Sequence, residues 1–404
     1  MIADAASPGG VPAGTGPLEG LRVLDLTRLL PGPVCTLYLA DLGADVIKIE
    51  DTGAGDYFRN LGTARGRVSA VYRAVNRNKR SLAVNLKDPR GRDAFLTLAQ
   101  RADVVVESFR PGVVAALGVD YQAVAALNPR IVYAAISGYG QDGPRAHLAG
   151  HDINYLGYAG VLDQTGTRDG APALCNVQVA DLLGGAASTA IALLAALVGV
   201  ERSGRGRYVD VAMTDASLAH NLVALRALEQ WGHVAPRGAD LLTGGVPCYG
   251  VYPTRDGRWL AVGALEEKFW RALCVAIERP DLVPGHLALG DEGLRVRSEL
   301  ERIFAGATLA EWTGRLAEVD CCVTPVATLD EAMNDRQFAA RGMVRTSSDG
   351  SIEYAPPFKL SGHEFAVNRQ APTHGEHGAE ILREAGFDAE SIDALIKAGV
   401  VRVS

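Results

Sequence analysis

LRVLDLT (21–27), RLLPGP (28–33), VCTLYLADLGA (34–44) and DVIKIE (45–50) read as one continuous unit. The first and last are apolar runs of strand length, and the third has helical spacing that ends near Gly43. The Pro-Gly-Pro at 31–33 reads as a breaker between strand and helix. Two strands joined through a helix lie parallel, with the helix on one face of the sheet. The same alternation continues outward. Helix 89–101, strand ADVVVES (102–108), a helix around 112–117 and strand RIVYAAIS (130–137) follow. An Ala-rich helix (182–199), the loop ERSGRGR (201–207), strand YVDVAMTD (208–215) and a helix over 216–232 extend it.

Beyond that point the pattern changes. GADLLTGGVP (238–247) is Gly-rich, and VPCYGVYPTRDGRWLAVGA (246–264) predicts a hairpin through the Asp256-Gly257 turn. A second domain therefore begins near 238. Helices at 378–386 and 390–398 close the chain. The expected organisation is a disordered tail (1–17), a large domain (18–215), a linker helix (216–237), a small domain (238–340) and a return segment (341–404).

Composition excludes several classes. The chain has 404 residues, 48% hydrophobic and 22% charged, enough for more than one core. A formal net charge of −7 argues against nucleic acid and anionic membrane as partners, so a polyanionic ligand needs a local basic cluster. The six cysteines form no CxxC pair and no zinc-ligand spacing, which points to a reducing, cytoplasmic setting and no metal. Residues 1–17 lack the basic start and apolar run of a signal peptide. The longest apolar stretch, Leu182–Val200, is Ala/Gly-rich and contains Ser188 and Thr189, which fits a buried helix better than a membrane span. There is no GxSxG, GxxxxGK[ST] or HExxH motif.

Several features could carry chemistry. GYGQDG (138–143) matches GxGxxG after a strand, but Pro144 and Arg145 follow at once and the first β-α turn carries LLPGP instead. A nicotinamide oxidoreductase is therefore disfavoured, and Gly138 and Tyr139 read as a loop bordering another nucleotide. Arg73, Arg77, Lys79 and Arg80 crowd one segment, with Lys48 at the end of a strand; they could seat phosphates or form a solvated face. His151 and Asp152 lie in GHDINY (150–155). Asp181 precedes the apolar helix, where an N-cap is the bland reading. Glu266 and Glu267 stand at another helix start, where dipole complementarity suffices.

Taken in order, seven segments resemble the family III CoA-transferases, the CaiB/BaiF group. They are LADLGADVIKIE (39–50), NRNKRSLAVNLK (76–87), FRPGVVAALGVDY (109–121), SGYGQDGP (137–144), VADLLGG (179–185), GVPCYGVY (245–252) and CVTPVATLDEAMND (322–335). The resemblance runs from about Leu18 to Val400. It implies an α/β fold: a Rossmann-like large domain built from both chain ends, an inserted small α+β domain, and an interlocked homodimer. It implies an acyl-CoA substrate, with coenzyme A entering as part of that substrate and no prosthetic group. Lys48, Arg77, Lys79, Arg80, Phe109 and Arg110 match positions at the coenzyme cleft. Ser108 stands where the family often has asparagine.

Asp181 matches the family's central aspartate, an acyl carrier in the transferases and a proton-transfer base in the racemases. His151 matches the histidine of the α-methylacyl-CoA racemase branch, and Glu266 the glutamate that orients it. TGGVP (243–247) is short, as in the racemases, where transferases carry a glycine-rich flap. Val177 occupies a position where racemases tend to have asparagine. The resemblance thus implies racemisation at C2 of a 2-methylacyl-CoA by His151 and Asp181, supported by Glu266. Backbone N–H groups near Asp152 or at 182–184 would receive the enolate oxygen. The alternatives are a CoA-transferase working through an Asp181 acyl intermediate and a non-catalytic CoA-binding protein.

Overall fold

A computed structural model describes residues 16–62, 68–346 and 350–404. The tail expected over 1–17 lies outside the described residues apart from its last two. The chain divides into two units. One takes in the chain through Ala159, Cys175–His220 and Gly342–Ser404; the other is Gly160–Leu174 with Asn221–Arg341. The division departs from the expected boundaries in two places. Gly160–Leu174 joins the second unit, and the crossing falls at His220/Asn221 because the expected linker helix is two helices, Met213–His220 and Leu222–Trp231.

The first unit is built on strands β1 (Arg22–Leu26), β2 (Asp45–Glu50), β3 (Lys79–Val84), β4 (Val104–Glu107), β5 (Val132–Ser137) and β6 (Arg207–Ala212). Their spatial order is β3-β2-β1-β4-β5-β6, every neighbouring pair parallel. The terminal strand Val401–Arg402 adds antiparallel beside β3. Leu24, Ile47, Leu82 and Val105 from the sheet pack with Phe95 and Leu98, and with Ile381, Leu382 and Leu395 from the end of the chain. Both chain ends therefore build one core, as the resemblance implied. Burial of each such side chain contributes about 1.5–3 kcal/mol.

Two local readings change. The helix expected at 34–44 starts at Pro31 and runs to Asp41. Proline is tolerated in a first helical turn, where its missing N–H has no partner to lose. Segment 79–84, whose Lys-Arg-Ser start reads as surface, is a fully buried strand. The apolar segment that carries Asp181 in its first turn runs from Ala180 to Ser203 and is long and apolar enough to cross a membrane. It packs beside β5 and β6, burying Leu193, Ala196 and Val200.

The second unit holds an antiparallel sheet of β7 (Tyr249–Pro253), β8 (Trp259–Gly263) and β9 (Val323–Pro325), so the expected hairpin is present. Helices Glu267–Ala276, Gly290–Phe304 and Leu309–Leu316 supply Trp270, Leu273, Phe304 and Trp312 to its core.

Candidate active site

The sheet order sets where a ligand fits. From β1 the chain proceeds outward through β2 and β3, then returns to β4 on the other side of β1. Such a switch point opens a crevice beyond the carboxyl ends of the strands. A cleft of about 800 Å³ lies there, bounded by Thr27 and Arg28 after β1, Asn85 and Lys87 after β3, and Phe109 and Arg110 after β4. The Arg28 guanidinium lies over the Phe109 ring, 5.2 Å from its centroid, and its Nη1 donates to the Tyr57 hydroxyl at 3.1 Å. Phe109 is fixed through its backbone N–H, which donates to Glu107 at 2.6 Å. Burial, aided by Asp210 and against that hydrogen bond, pushes Glu107 up to about 8.

Phe109 and Arg110 thus line this cleft. The basic cluster does not. Lys48 and Lys79 are fully buried, and Arg77 and Arg80 nearly so. Lys48 pairs with Asp56 at 2.9 Å and Lys79 with Asp25 at 3.1 Å. Arg77 pairs with Asp41 at 2.6 Å, and Arg80 joins Asp45, Glu380 and Glu384. Burial alone would raise Asp25; Lys79, Lys48 and the hydroxyls of Thr27 and Thr36 outweigh it and hold the carboxyl below its ordinary value. These cations serve the sheet and the joining of the chain ends, and the reading of them as phosphate ligands is corrected. The cations bordering the cleft are Arg28, Lys87 and Arg110. Arg28 and Lys87 were missed because an isolated cation after a strand carries no local signal; their place after β1 and β3 is the signal.

A second group of residues gathers beyond β5. His151 is the N-cap of the helix Asp152–Tyr158, with extended backbone, and is exposed. Its N–H donates to Asn154 Oδ1 at 3.0 Å. The next residue, Asp152, uses its Oδ1 to accept from the Asp181 backbone N–H at 3.1 Å. Asp181 stands in the first turn of a π-helix, Ala180–Ala187, a wider coil often found at functional positions. The start of one helix is therefore tied to the start of the other, and His151 stands one residue from the tie. Burial and then the Asp152 charge push Asp181 up to about 7.

Gly138 and Tyr139 belong to this group and do not border the cleft. The Tyr155 ring fills the space beside Gly138, where a Cβ would fall 2.3 Å from Cε1. The Tyr139 ring meets Tyr155 edge-on at 5.2 Å. Tyr155 donates its hydroxyl to Gly150 O at 2.6 Å, fixing the carbonyl just before His151. Burial, then Asp181 and Tyr139, raise Tyr155 to about 12, against the pull of Arg110. Arg110 thus faces the cleft on one side and acts on Tyr155 on the other. The donors expected at 182–184 are reduced by one, because the Leu182 N–H is given to Gln178 O at 2.9 Å. In the first turn of the helix Asp152–Tyr158 the Asn154 N–H is given to His151 O at 2.8 Å, which leaves the N–H groups of Asp152 and Ile153 as donors.

Glu266 lies in the second unit as N-cap of the helix Glu267–Ala276, without a side-chain capping bond. Among the described residues no cluster of metal-ligating side chains occurs.

A family model described as CoA-transferase family III matches residues 18–378. The chain is 35% identical to the human "Alpha-methylacyl-CoA racemase" over 396 residues, 96% of this chain and 99% of that protein. It is also 35% identical to the "Acetyl-CoA:oxalate CoA-transferase" of Acetobacter aceti over 377 residues, 91% of this chain and 96% of that protein. The crystal structure of a CAIB/BAIF family protein from Brucella suis matches with a TM-score of 0.81 and 29% identity, covering 92% of this chain and all of the other. The fold, the switch-point cleft and these likenesses agree: the chain is an enzyme of the CoA-transferase family III, the superfamily that includes the acyl-CoA racemases.

Proposed function

We propose that the protein racemises C2 of a 2-methylacyl-CoA thioester, with His151 and Asp181 as the two proton-transfer groups. The observation that carries this reading is the hydrogen bond from the Asp181 N–H to Asp152, because it ties the His151 helix start to Asp181. A carboxyl titrating near 7 supports it further, since such a group can both take and return a proton near neutral pH.

One group removes the C2 proton from one face, and the electron pair passes into the thioester carbonyl to give an enolate. The other group, protonated, returns a proton to the opposite face. The roles exchange in the reverse direction. The enolate oxygen is received by the N–H groups of Asp152 and Ile153, directly after His151. Glu266 is assigned the role of orienting the imidazole on resemblance alone. The coenzyme moiety occupies the cleft with Arg28, Lys87 and Arg110 toward its phosphates. The working form is a homodimer; exposed Leu222, Val223, Leu228 and Trp231 on one helix favour such an assembly.

The equal likeness to a CoA-transferase supports a second reading, in which Asp181 carries the acyl group as an anhydride and then CoA as a thioester. The test is incubation of an (R)-2-methylacyl-CoA in D₂O. Deuterium at C2 with loss of configuration is the expected result. Absence of exchange, with CoA moved between two acids and an enzyme adduct cleaved by hydroxylamine, contradicts the racemase and favours the transferase.

A further inference from the structure

Three consecutive residues after β1 are tied from both sides of the switch point. On the β2 side, the Thr27 carbonyl accepts from Lys48 Nζ at 3.0 Å. On the β4 side, the Arg28 N–H donates to Ser108 Oγ at 3.3 Å. The Leu29 N–H then turns back and donates to Asp56 Oδ1 at 3.1 Å. Leu29 has a φ of 66°, in the left-handed region that residues with a Cβ rarely adopt. Such a residue keeps that conformation only where its surroundings hold it.

Asp56 is the centre of that hold. It is buried, and it borders the cleft. The same Oδ1 caps the short helix Tyr57–Asn60 by accepting from the Phe58 N–H at 3.0 Å. The other oxygen, Oδ2, pairs with Lys48 Nζ at 2.9 Å. Burial alone would lower Lys48; the Asp25, Asp56 and Glu50 carboxylates outweigh it and raise it, so the ammonium stays charged. One carboxylate therefore fixes Leu29 on one side and the start of the Tyr57 helix on the other. Arg28 lies between them. Its guanidinium stands 4.8 Å from the centroid of the Tyr57 ring and 5.2 Å from that of Phe109, so both cleft walls grip it.

We infer that Asp56, braced by Lys48, is a positioning residue for the coenzyme: it holds the Leu29 turn so that Arg28 is presented from between Tyr57 and Phe109 to the phosphates. The inference rests on the reading that the coenzyme moiety occupies this cleft with Arg28 toward it. It is indifferent to whether the acyl chemistry is racemisation or transfer.

The test is a double-mutant cycle read by calorimetric titration of the full-length protein with coenzyme A. Arg28→Met weakens binding roughly tenfold, the scale of one lost charged hydrogen bond. Asp56→Ala weakens it to a similar extent. The two losses do not multiply: the double variant binds within about twofold of Arg28→Met, because Asp56 acts through Arg28. General loosening of the fold would instead add to the Arg28→Met loss. Leu29→Pro deletes the same N–H and the left-handed φ without touching the buried pair. It reproduces Asp56→Ala, alone and on Arg28→Met, and carries the test if Asp56→Ala fails to fold. Leu29→Gly keeps the N–H and tolerates the φ, and it keeps the parent's affinity. Unchanged affinity in Arg28→Met contradicts the coenzyme reading of the cleft and takes the inference with it. A loss in Arg28→Met with none in the folded Asp56→Ala or Leu29→Pro proteins, losses that multiply in the double variants, or an equal loss in Leu29→Gly overturns the inference alone.

Discussion

The Asp152 carboxylate accepts a hydrogen bond from the Asp181 backbone N–H at 3.1 Å, which joins two helix starts that lie 29 residues apart in the chain. It does two things at once. It fixes the position of Asp181, and its charge adds to the burial that makes the Asp181 carboxyl a weak acid near neutral pH.

Replacing Asp152 by asparagine separates those effects. The amide oxygen still accepts from the Asp181 N–H, but the negative charge is gone. Asp181 then ionises at lower pH. The acidic limb of the kcat/KM profile, which reports the free enzyme's base, moves down while the protein remains folded. An unmoved limb means that Asp152 does not tune Asp181.

Asp181 also makes a stability prediction. Its folded-state carboxyl lies near 7, above the ordinary value of 3.8, so the native state disfavours the ionised form. Linkage then gives no penalty below about pH 4 and a growing penalty as pH rises, complete above about pH 7. Asp181→Asn should therefore be more stable than the parent at pH 8, by on the order of 1–2 kcal/mol once partial exposure is allowed for. The gain should vanish toward pH 4. Melting curves across this range check both sign and window.

The buried cations predict a loss of a different kind. Lys79→Met leaves Asp25 buried without the cation it pairs with, and breaking a buried pair in this way costs about 3–5 kcal/mol. Arg80→Gln, at the junction with Glu380 and Glu384, lowers the melting temperature without changing KM for an acyl-CoA. A large KM effect from folded Arg80→Gln would restore the phosphate-contact reading.

The cleft cations should behave in the opposite manner. Lys87→Ala and Arg110→Ala each remove a charge at the cleft rim with little effect on stability. Each raises KM for acyl-CoA roughly tenfold, the scale of one lost charged hydrogen bond. Rising salt should narrow the difference between parent and variant, since exposed charges are screened.

Much of this architecture is legible in the chain. Residues 21–50 specify a parallel β-α-β unit through local periodicity, and the Asp256-Gly257 turn marks the hairpin of the second unit. Strand β3 was not legible, because Lys79 and Arg80 look like surface residues. Their partners, Asp25 and Asp45, lie 54 and 35 residues away, beyond any local pattern. The site divides similarly. His151, Asp181 and Glu266 were named through resemblance, whereas the Asp152 tie and the cleft cations Arg28 and Lys87 depend on how the strands order themselves. The expected donor at Leu182 fails because its N–H is already given to Gln178.

The most direct measurement follows exchange of the C2 proton in D₂O, separately for the (R) and (S) thioesters, in His151→Ala and Asp181→Asn. With one proton-transfer group on each face, each variant stops racemisation by about 10²–10⁴-fold. Each should still exchange one enantiomer, and the enantiomer retained should differ between the two variants. If both variants retain the same enantiomer, or if His151→Ala exchanges and racemises both as the parent does, then His151 and Asp181 do not face C2 from opposite sides.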